Sequence, residues 1–241
     1  MIRLIGSVFV QGDVALQTHN FDNYRPLGDL KGVLEIYDQH CVDEIFISAR
    51  LDDVDSGPSS YVLDSLIKTN ITTPVVYSGG IRTIEDVRQC LESGVERVGL
   101  HSLLFMKSLL MDIIQYIGVQ GVVAVLPFVE KKGEFFFYDC RTRKVSKPIG
   151  EIIANLPEVV ELLLIDIKAD GSETGFSWDV IKKCGNRKVI IQGGVIQEVA
   201  SRKDADILEN ELSGVVIENR LLWTECATQN YKKNIPVFMS R

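Results

Sequence analysis

Short apolar runs rich in β-branched residues recur along the chain: Leu4–Val10, Glu44–Ser48, Pro74–Ser78, Arg97–Leu100, Val122–Leu126, Leu162–Ile167, Lys188–Gln192 and Gly214–Ile217. Most are apolar at nearly every position, the pattern of parallel strands covered on both faces. Between them lie stretches with helical periodicity. Leu30–His40 carries Val33, Leu34 and Tyr37; Thr83–Ser93 carries Ile84, Val87, Cys90 and Leu91; Phe105–Ile117 carries Leu109, Leu110, Ile113 and Ile114. Thr83, with Asp86 three residues on, predicts a capped helix start, and Gly94 its end. Eight strand–helix alternations in 241 residues predict a (β/α)8 barrel, a single α/β domain over residues 1–241. A doubly wound open sheet is the alternative, weakened by the lack of Gly-x-Gly-x-x-Gly after the first strand. Gly133–Tyr138, inside the charged segment Lys131–Lys147, breaks the rhythm and predicts an added β-hairpin after the fifth strand.

The pattern also repeats at long range. Val75-Val76-Tyr77-Ser78-Gly79-Gly80-Ile81 returns 114 residues later as Val189-Ile190-Ile191-Gln192-Gly193-Gly194-Val195. Each copy is followed by a Ser-Gly (Ser93-Gly94, Ser213-Gly214) and a further apolar strand. The order predicts two duplicated half-barrels of four units each.

Charge narrows the function classes. Lys and Arg number 26 against 33 Asp and Glu, a net charge of −7, and the isoelectric point is about 5.1. The basic runs Lys182-Lys183 and Lys232-Lys233 are short, which argues against nucleic acid as a partner. Five scattered cysteines without zinc spacing predict reduced thiols, no metal and no cofactor, in a cytoplasmic chain. The N-terminal apolar run is too short for a membrane span and has no cleavage site, so neither a signal peptide nor a membrane anchor is expected.

Candidate chemistry gathers where strands end. Gly79 and Gly80 follow the third strand and precede a helix; their N–H groups, with His101 and Ser102 after the fourth strand, predict a phosphate cradle. Gly193 and Gly194 predict a matching cradle in the second half. There the last strand ends in Glu218-Asn219, and a carboxylate opposes a phosphate.

The motifs Asn20-Phe21-Asp22-Asn23-Tyr24-Arg25-x-x-Gly28-Asp29, Tyr37-Asp38, Asp43-Glu44-Ile45 and Ser78-Gly79-Gly80-Ile81-Arg82-x-Ile84-Glu85-Asp86 resemble the HisF family, the cyclase subunit of imidazole glycerol phosphate synthase. Asp170-Gly171-Ser172-x-x-Gly175-Phe176 resembles that family's loop after the sixth strand and adds Gly171 and Ser172 to the phosphate-binding set. The resemblance runs from about Arg3 to Glu225. It implies a barrel that docks a HisH-like glutaminase on its bottom face and passes ammonia along its axis to a phosphorylated substrate at the top.

Against that pattern, the two aspartates expected as general acid and base after strands one and five fall on Phe9 and Leu126, and neither titrates. The expected loop lysine is Gln17, and the aspartate ending strand two is Ala49. Asp13, Asp52 and Asp53 lie nearby in sequence; Asp13, Asp53 and Asp170 are the fallback carboxylates, with Asp13 and Asp170 first. At the bottom face the resemblance places an ammonia gate on Arg3, Glu44, Arg97 and Glu161, all of the expected sign, with Glu96 facing the glutaminase. The reading is a divergent paralogue of the glycan-amidation type. It would dock a glutaminase and conduct ammonia to a partner sugar amidotransferase acting on a nucleotide sugar in surface-polysaccharide (lipopolysaccharide) biosynthesis, its cyclase activity lost. A histidine-biosynthesis cyclase with relocated acid–base residues is the alternative, and a phosphosugar isomerase of the same superfamily a third.

Overall fold

The computed structural model describes residues 2–21, 23–50, 57–172, 174–194, 212–217 and 222. In chain order it runs β1 (Arg3–Gln11), β2 (Val14–His19), β3 (Asn23–Asp29), α1 (Leu30–Gln39), β4 (Glu44–Arg50), α2 (Ser60–Lys68), β5 (Val75–Ser78), α3 (Ile84–Glu92), β6 (Arg97–Leu100) and α4 (Lys107–Ile117). It continues with β7 (Val122–Lys131), β8 (Glu134–Asp139), β9 (Lys144–Pro148), α5 (Ile149–Ala154), β10 (Glu161–Asp166), β11 (Val189–Gln192) and β12 (Leu212–Ile217). The eight apolar runs are the strands β1, β4, β5, β6, β7, β10, β11 and β12. Each pairs in parallel with the next, and β12–β1 and β7–β10 complete the circle, so the sheet is a closed (β/α)8 barrel.

Period two sorts the side chains. On β1, Ile5 faces into the barrel and Leu4 and Val8 face the helices. On β7, Val123 and Val125 point inward, and Val122, Ala124 and Leu126 outward. The interior is a dry layer of Ile5, Phe46, Val76, Val123, Leu163, Ile190 and Val216. Outside, Tyr37 of α1 lies flat over Gly6, where a Cβ would come within 3.0 Å of the ring, and its hydroxyl donates to the Ser7 carbonyl at 2.8 Å. The α3 start is a full capping box: Asp86 N–H donates to Thr83 Oγ1, and the Asp86 carboxylate accepts from the Thr83 and Arg82 N–H groups. Among the described residues no helix is long and apolar enough to cross a membrane.

The two halves repeat in their contacts as well as their order. Gly79 and Gly193 both have positive φ, and a Cβ on either would strike a carbonyl near the end of the neighbouring strand: Ala49 O of β4 at 2.5 Å and Asp166 O of β10 at 2.8 Å. Each half also carries an antiparallel excursion on its first strand. β7–β8–β9 is the hairpin expected from Lys131–Lys147. The second excursion, β1–β2–β3, was not expected, because β3 reads Asn-Tyr-Arg-Pro-Leu-Gly-Asp and is mostly exposed, without apolar alternation.

Gly79→Ala should cost about 3 kcal/mol or more, because it combines a forbidden φ with a backbone collision. Gly94→Ala, also at positive φ but with open space around the new Cβ, should cost only about 1 kcal/mol. Urea denaturation of the two variants checks the difference; equal losses would mean that the Ala49 contact does not matter.

Candidate functional site

Parallel closure puts all strand starts on one rim. Arg3 opens β1, Glu44 opens β4, Arg97 opens β6 and Glu161 opens β10. There they close a four-membered ion-pair ring. The Arg3 guanidinium bridges Glu44 at 2.9 Å and Glu161 at 2.5 Å; that of Arg97 bridges the same carboxylates at 3.1 and 2.6 Å. Each arginine thus holds both acids, and each acid both arginines. Arg97 Nε also donates to the Gln120 carbonyl at 2.9 Å, and Ser213 Oγ to Glu161 at 2.5 Å. Burial alone would raise the Glu161 carboxyl, but the charges of Arg3 and Arg97 and the Ser213 hydroxyl hold it below the usual range. Burial likewise works against the charged Arg97, and Glu161 and Glu44 outweigh it. Glu96 stands exposed beside Arg97.

The opposite rim opens into a cleft of about 860 Å³ under the β8–β9 turn. Its floor is the ends of β1, β4, β5, β6 and β7: Phe9, Ser48, Ala49, Ser78, Gly99, Val125 and Pro127. Gly79, Gly80, His101 and Ser102 all line it, so the first-half cradle is brought together in one place. The capping box has a consequence here. Asp86 already occupies the N–H groups of Arg82 and Thr83 at the α3 start, so an anion there would rely on the Gly79–Gly80 turn and on side chains. Among the described residues those side chains are three arginines, Arg82, Arg141 and Arg143, against one carboxylate, Asp139. Among the described lining residues arginines outnumber carboxylates, in a chain of net charge −7.

Aromatic rings wall the cleft. Phe9 meets Phe21 edge-on at 4.8 Å, and His101 stacks on Phe137 at 4.9 Å. His101 Nε2 has no exposed surface and no hydrogen-bond partner. Burial holds the imidazole below its ordinary pKa, against a backbone hydrogen bond to Tyr138 and the charge of Asp139. Burial would raise Asp139, but bonds from Thr142 and the Arg141 N–H keep it below the usual carboxylate range. Cys140, also in the wall, is pushed up to about 12 by burial first and by Asp139 next, so it is no thiolate.

The other expected residues lie elsewhere. Leu126 is on the outer face of β7 and fully buried against the helices; Pro127 holds the rim position, one residue along. Asp13 is exposed on the β1–β2 turn, and Gln17 pairs with Arg25 on the hairpin. Asp170 is fully buried. Its carboxylate accepts from Thr18 Oγ1 at 3.2 Å and the Phe21 N–H at 3.1 Å, and its carbonyl from the Asn20 N–H at 3.0 Å. That clamp holds the β2–β3 turn, where Asn20 and Phe21 have φ of 54° and 53°. Gly171 packs under the same turn, Ser172 is half-buried, and Gly193 and Gly194 pack against Asp166 and Gly175; none of the four lines the cleft. Asp52, Asp53, Glu218 and Asn219 lie outside the described residues. Among the described residues no three His, Cys, Asp or Glu side chains gather as a metal site.

A family model described as Histidine biosynthesis protein matches residues 5–223. The chain belongs to this family. Its relatives place it on the HisF side. It is 27% identical to the imidazole glycerol phosphate synthase subunit HisF of Alkaliphilus metalliredigens, over 80% of this chain and 79% of that protein. It is 25% identical to the HisF subunit of Lactococcus lactis, over 80% and 78%. It is also 25% identical to a Campylobacter jejuni protein named as imidazole glycerol phosphate synthase subunit hisF2, over 89% and 88%. This HisF family member has a charged ring at the rim of strand starts, and Phe9 and Pro127 at the opposite mouth.

The ring makes a pH prediction. A carboxyl held low in the folded chain stabilises it above its unfolded pKa and loses that contribution as pH falls through the folded value. Glu161→Gln should cost about 2–3 kcal/mol at pH 7, under the range for a fully buried pair because the Arg3 side chain keeps 29% exposure. The difference from the parent should shrink as pH drops toward 4. Urea titrations across that range measure it; a pH-independent gap would mean that Glu161 is not held charged by the ring.

Proposed function

We propose that this HisF-like barrel is the conducting subunit of a glutamine-dependent amidation complex. It docks a HisH-like glutaminase over the rim of Arg3, Glu44, Arg97 and Glu161, and passes ammonia along the apolar barrel axis. The recipient is a partner amidotransferase acting on a nucleotide sugar of surface-polysaccharide synthesis. The observation that carries the reading is the contrast between the two rims: a complete reciprocal ion-pair ring at the strand starts, and Phe9 and Pro127 at the ends of β1 and β7. A self-neutralised ring excludes ions, and a neutral molecule passes when one arm swings aside. Ring closure requires a proton to be removed and another supplied, each role worth about 10²–10⁴-fold. Phenyl and pyrrolidine groups do neither.

A second reading, a histidine-biosynthesis cyclase with relocated acid–base groups, is favoured by the names of the relatives. In that case Asp139 and His101 are the titratable groups in the cleft wall to consider first, since Asp13 is on an outer turn and Asp170 is committed to the hairpin.

Two measurements separate the readings. With saturating ammonia and the synthase's substrate, the purified chain should show no imidazole formation; turnover near that of a HisF subunit would establish the cyclase instead. In the reconstituted complex, Arg97→Met should lower glutamine-driven amidation about tenfold or more and leave ammonia-driven amidation within about twofold. Equal losses in both assays would remove the ring from the delivery route.

A further inference from the structure

Inside the barrel, between the dry layer and the cleft floor, the fold leaves a hydroxyl without a partner. Ser7 lies on β1 two residues after Ile5 of that layer and two before Phe9 of the cleft floor, so the strand period turns it toward the axis. It is 4% exposed, and its Oγ is buried with no hydrogen-bond partner among the described residues. Its carbonyl is engaged on the outside of the barrel by Tyr37. Across the sheet Ser7 stands level with Phe46 of β4, which also faces inward. The Phe46 ring reaches as far as β6, two strands away: a Cβ on Gly99 would lie 3.2 Å from its Cε2, so the ring takes the space of a side chain that residue 99 lacks. Ile5, Phe9 and Phe46, the inward neighbours of Ser7, offer it no polar group. A buried hydroxyl left in this state is a cost to the fold. The next inward hydroxyls, Ser48 on β4 and Ser78 on β5, already line the cleft.

We propose that Ser7 is a binding station for neutral ammonia on the barrel axis: the molecule accepts the Ser7 O–H through its lone pair after leaving the rim ring, and goes on past the Phe46 ring to Ser48 and Ser78 at the cleft floor. The proposal rests on the conducting reading above and adds to it the place where the cargo is held. Ammonia suits the position because it is small, uncharged and brings the acceptor that the hydroxyl lacks. Ammonium has no lone pair to accept with, and it would carry a bare charge into apolar surroundings. Phe46, seated on Gly99, shields the station from the cleft and moves aside for the cargo. The hydroxyl thus lowers the cost of taking a polar molecule across an otherwise apolar stretch, at a residue where alanine or valine would have continued the apolar run of β1.

Two measurements test it. In the reconstituted complex, the ratio of glutamine-driven to ammonia-driven amidation should fall about fivefold in Ser7→Ala, the worth of one ordinary hydrogen bond, with the missing nitrogen released as free ammonia. Ser7→Thr keeps the hydroxyl and should keep most of the ratio although it narrows the axis. A route governed by width alone gives the reverse order, alanine at or above the parent and threonine below it, and that order overturns the proposal. The second measurement uses the full-length chain alone. At alkaline pH, the thermal midpoint of the parent should be higher in ammonium chloride than in sodium chloride of equal concentration, because a ligand of the folded state stabilises it by mass action. The gap should vanish near neutral pH, where the ammonium cation predominates, and it should be absent in Ser7→Ala. An equal gap in parent and variant, or none in the parent, overturns the station even in a complex that conducts. Conversely, a parent complex that amidates with added ammonia but not with glutamine ends the conducting reading, and the chain-alone gap still decides whether Ser7 holds ammonia.

Discussion

In a closed ring of parallel strands, every strand begins on one rim and ends on the other, and alternate side chains face the axis. That constraint decides what can meet what here. Arg3, Glu44, Arg97 and Glu161 are spread across the sequence from the third residue to the 161st, and they meet because each is the first inward position of its strand. The same parity sends Ile5, Phe46, Val123 and Leu163 into the layer above them, so the ring is backed by apolar side chains. Its charges are satisfied by one another and by Ser213 and Gln120. Unpaired, such groups would cost several kcal/mol to hold at the edge of a dry interior.

The far rim is built on the same plan but is less symmetric. Both halves hang a hairpin on their first strand, and both carry a Gly-Gly turn pressed onto a neighbouring carbonyl. The hairpins serve different ends. The β8–β9 turn carries Arg141 and Arg143 over the first-half cleft, whereas the β2–β3 turn is tied down by Asp170 of the other half. Among the described residues the first half thus has an open cleft lined by arginines, and Gly193–Gly194 in the second packs against Asp166 and Gly175.

The eight strands were legible because buried parallel strands write themselves as unbroken apolar runs, and the rim ring because the resemblance to the HisF family placed a charge at four of the strand starts. Position within a strand was harder. Leu126 and Pro127 differ by one residue, and with a period of two that step exchanges inside for outside; the bulky apolar context reads the same either way. The β2–β3 hairpin escaped because it is stabilised by Asp170, 149 residues from Phe21, and not by its own pattern. Arg141, Arg143 and Asp139 sat in a segment recognisable as a hairpin, but only its fold back over the barrel mouth brings them to the cleft.

The Asp170 clamp also bears on how stiff the cleft is. Phe21 forms part of its wall, and its backbone N–H is one of the donors to a carboxylate with no solvent exposure. Swinging Phe21 outward would strip that buried carboxylate of a donor, at about 1–3 kcal/mol or more. It would also disturb the left-handed backbone of Asn20 and Phe21, a conformation that a bulky residue such as Phe21 rarely adopts. The aromatic side of the cleft is therefore preorganised: its shape is set by the second half of the barrel before anything binds in the first, so adaptation to a ligand falls to the arginine-bearing turn across from it.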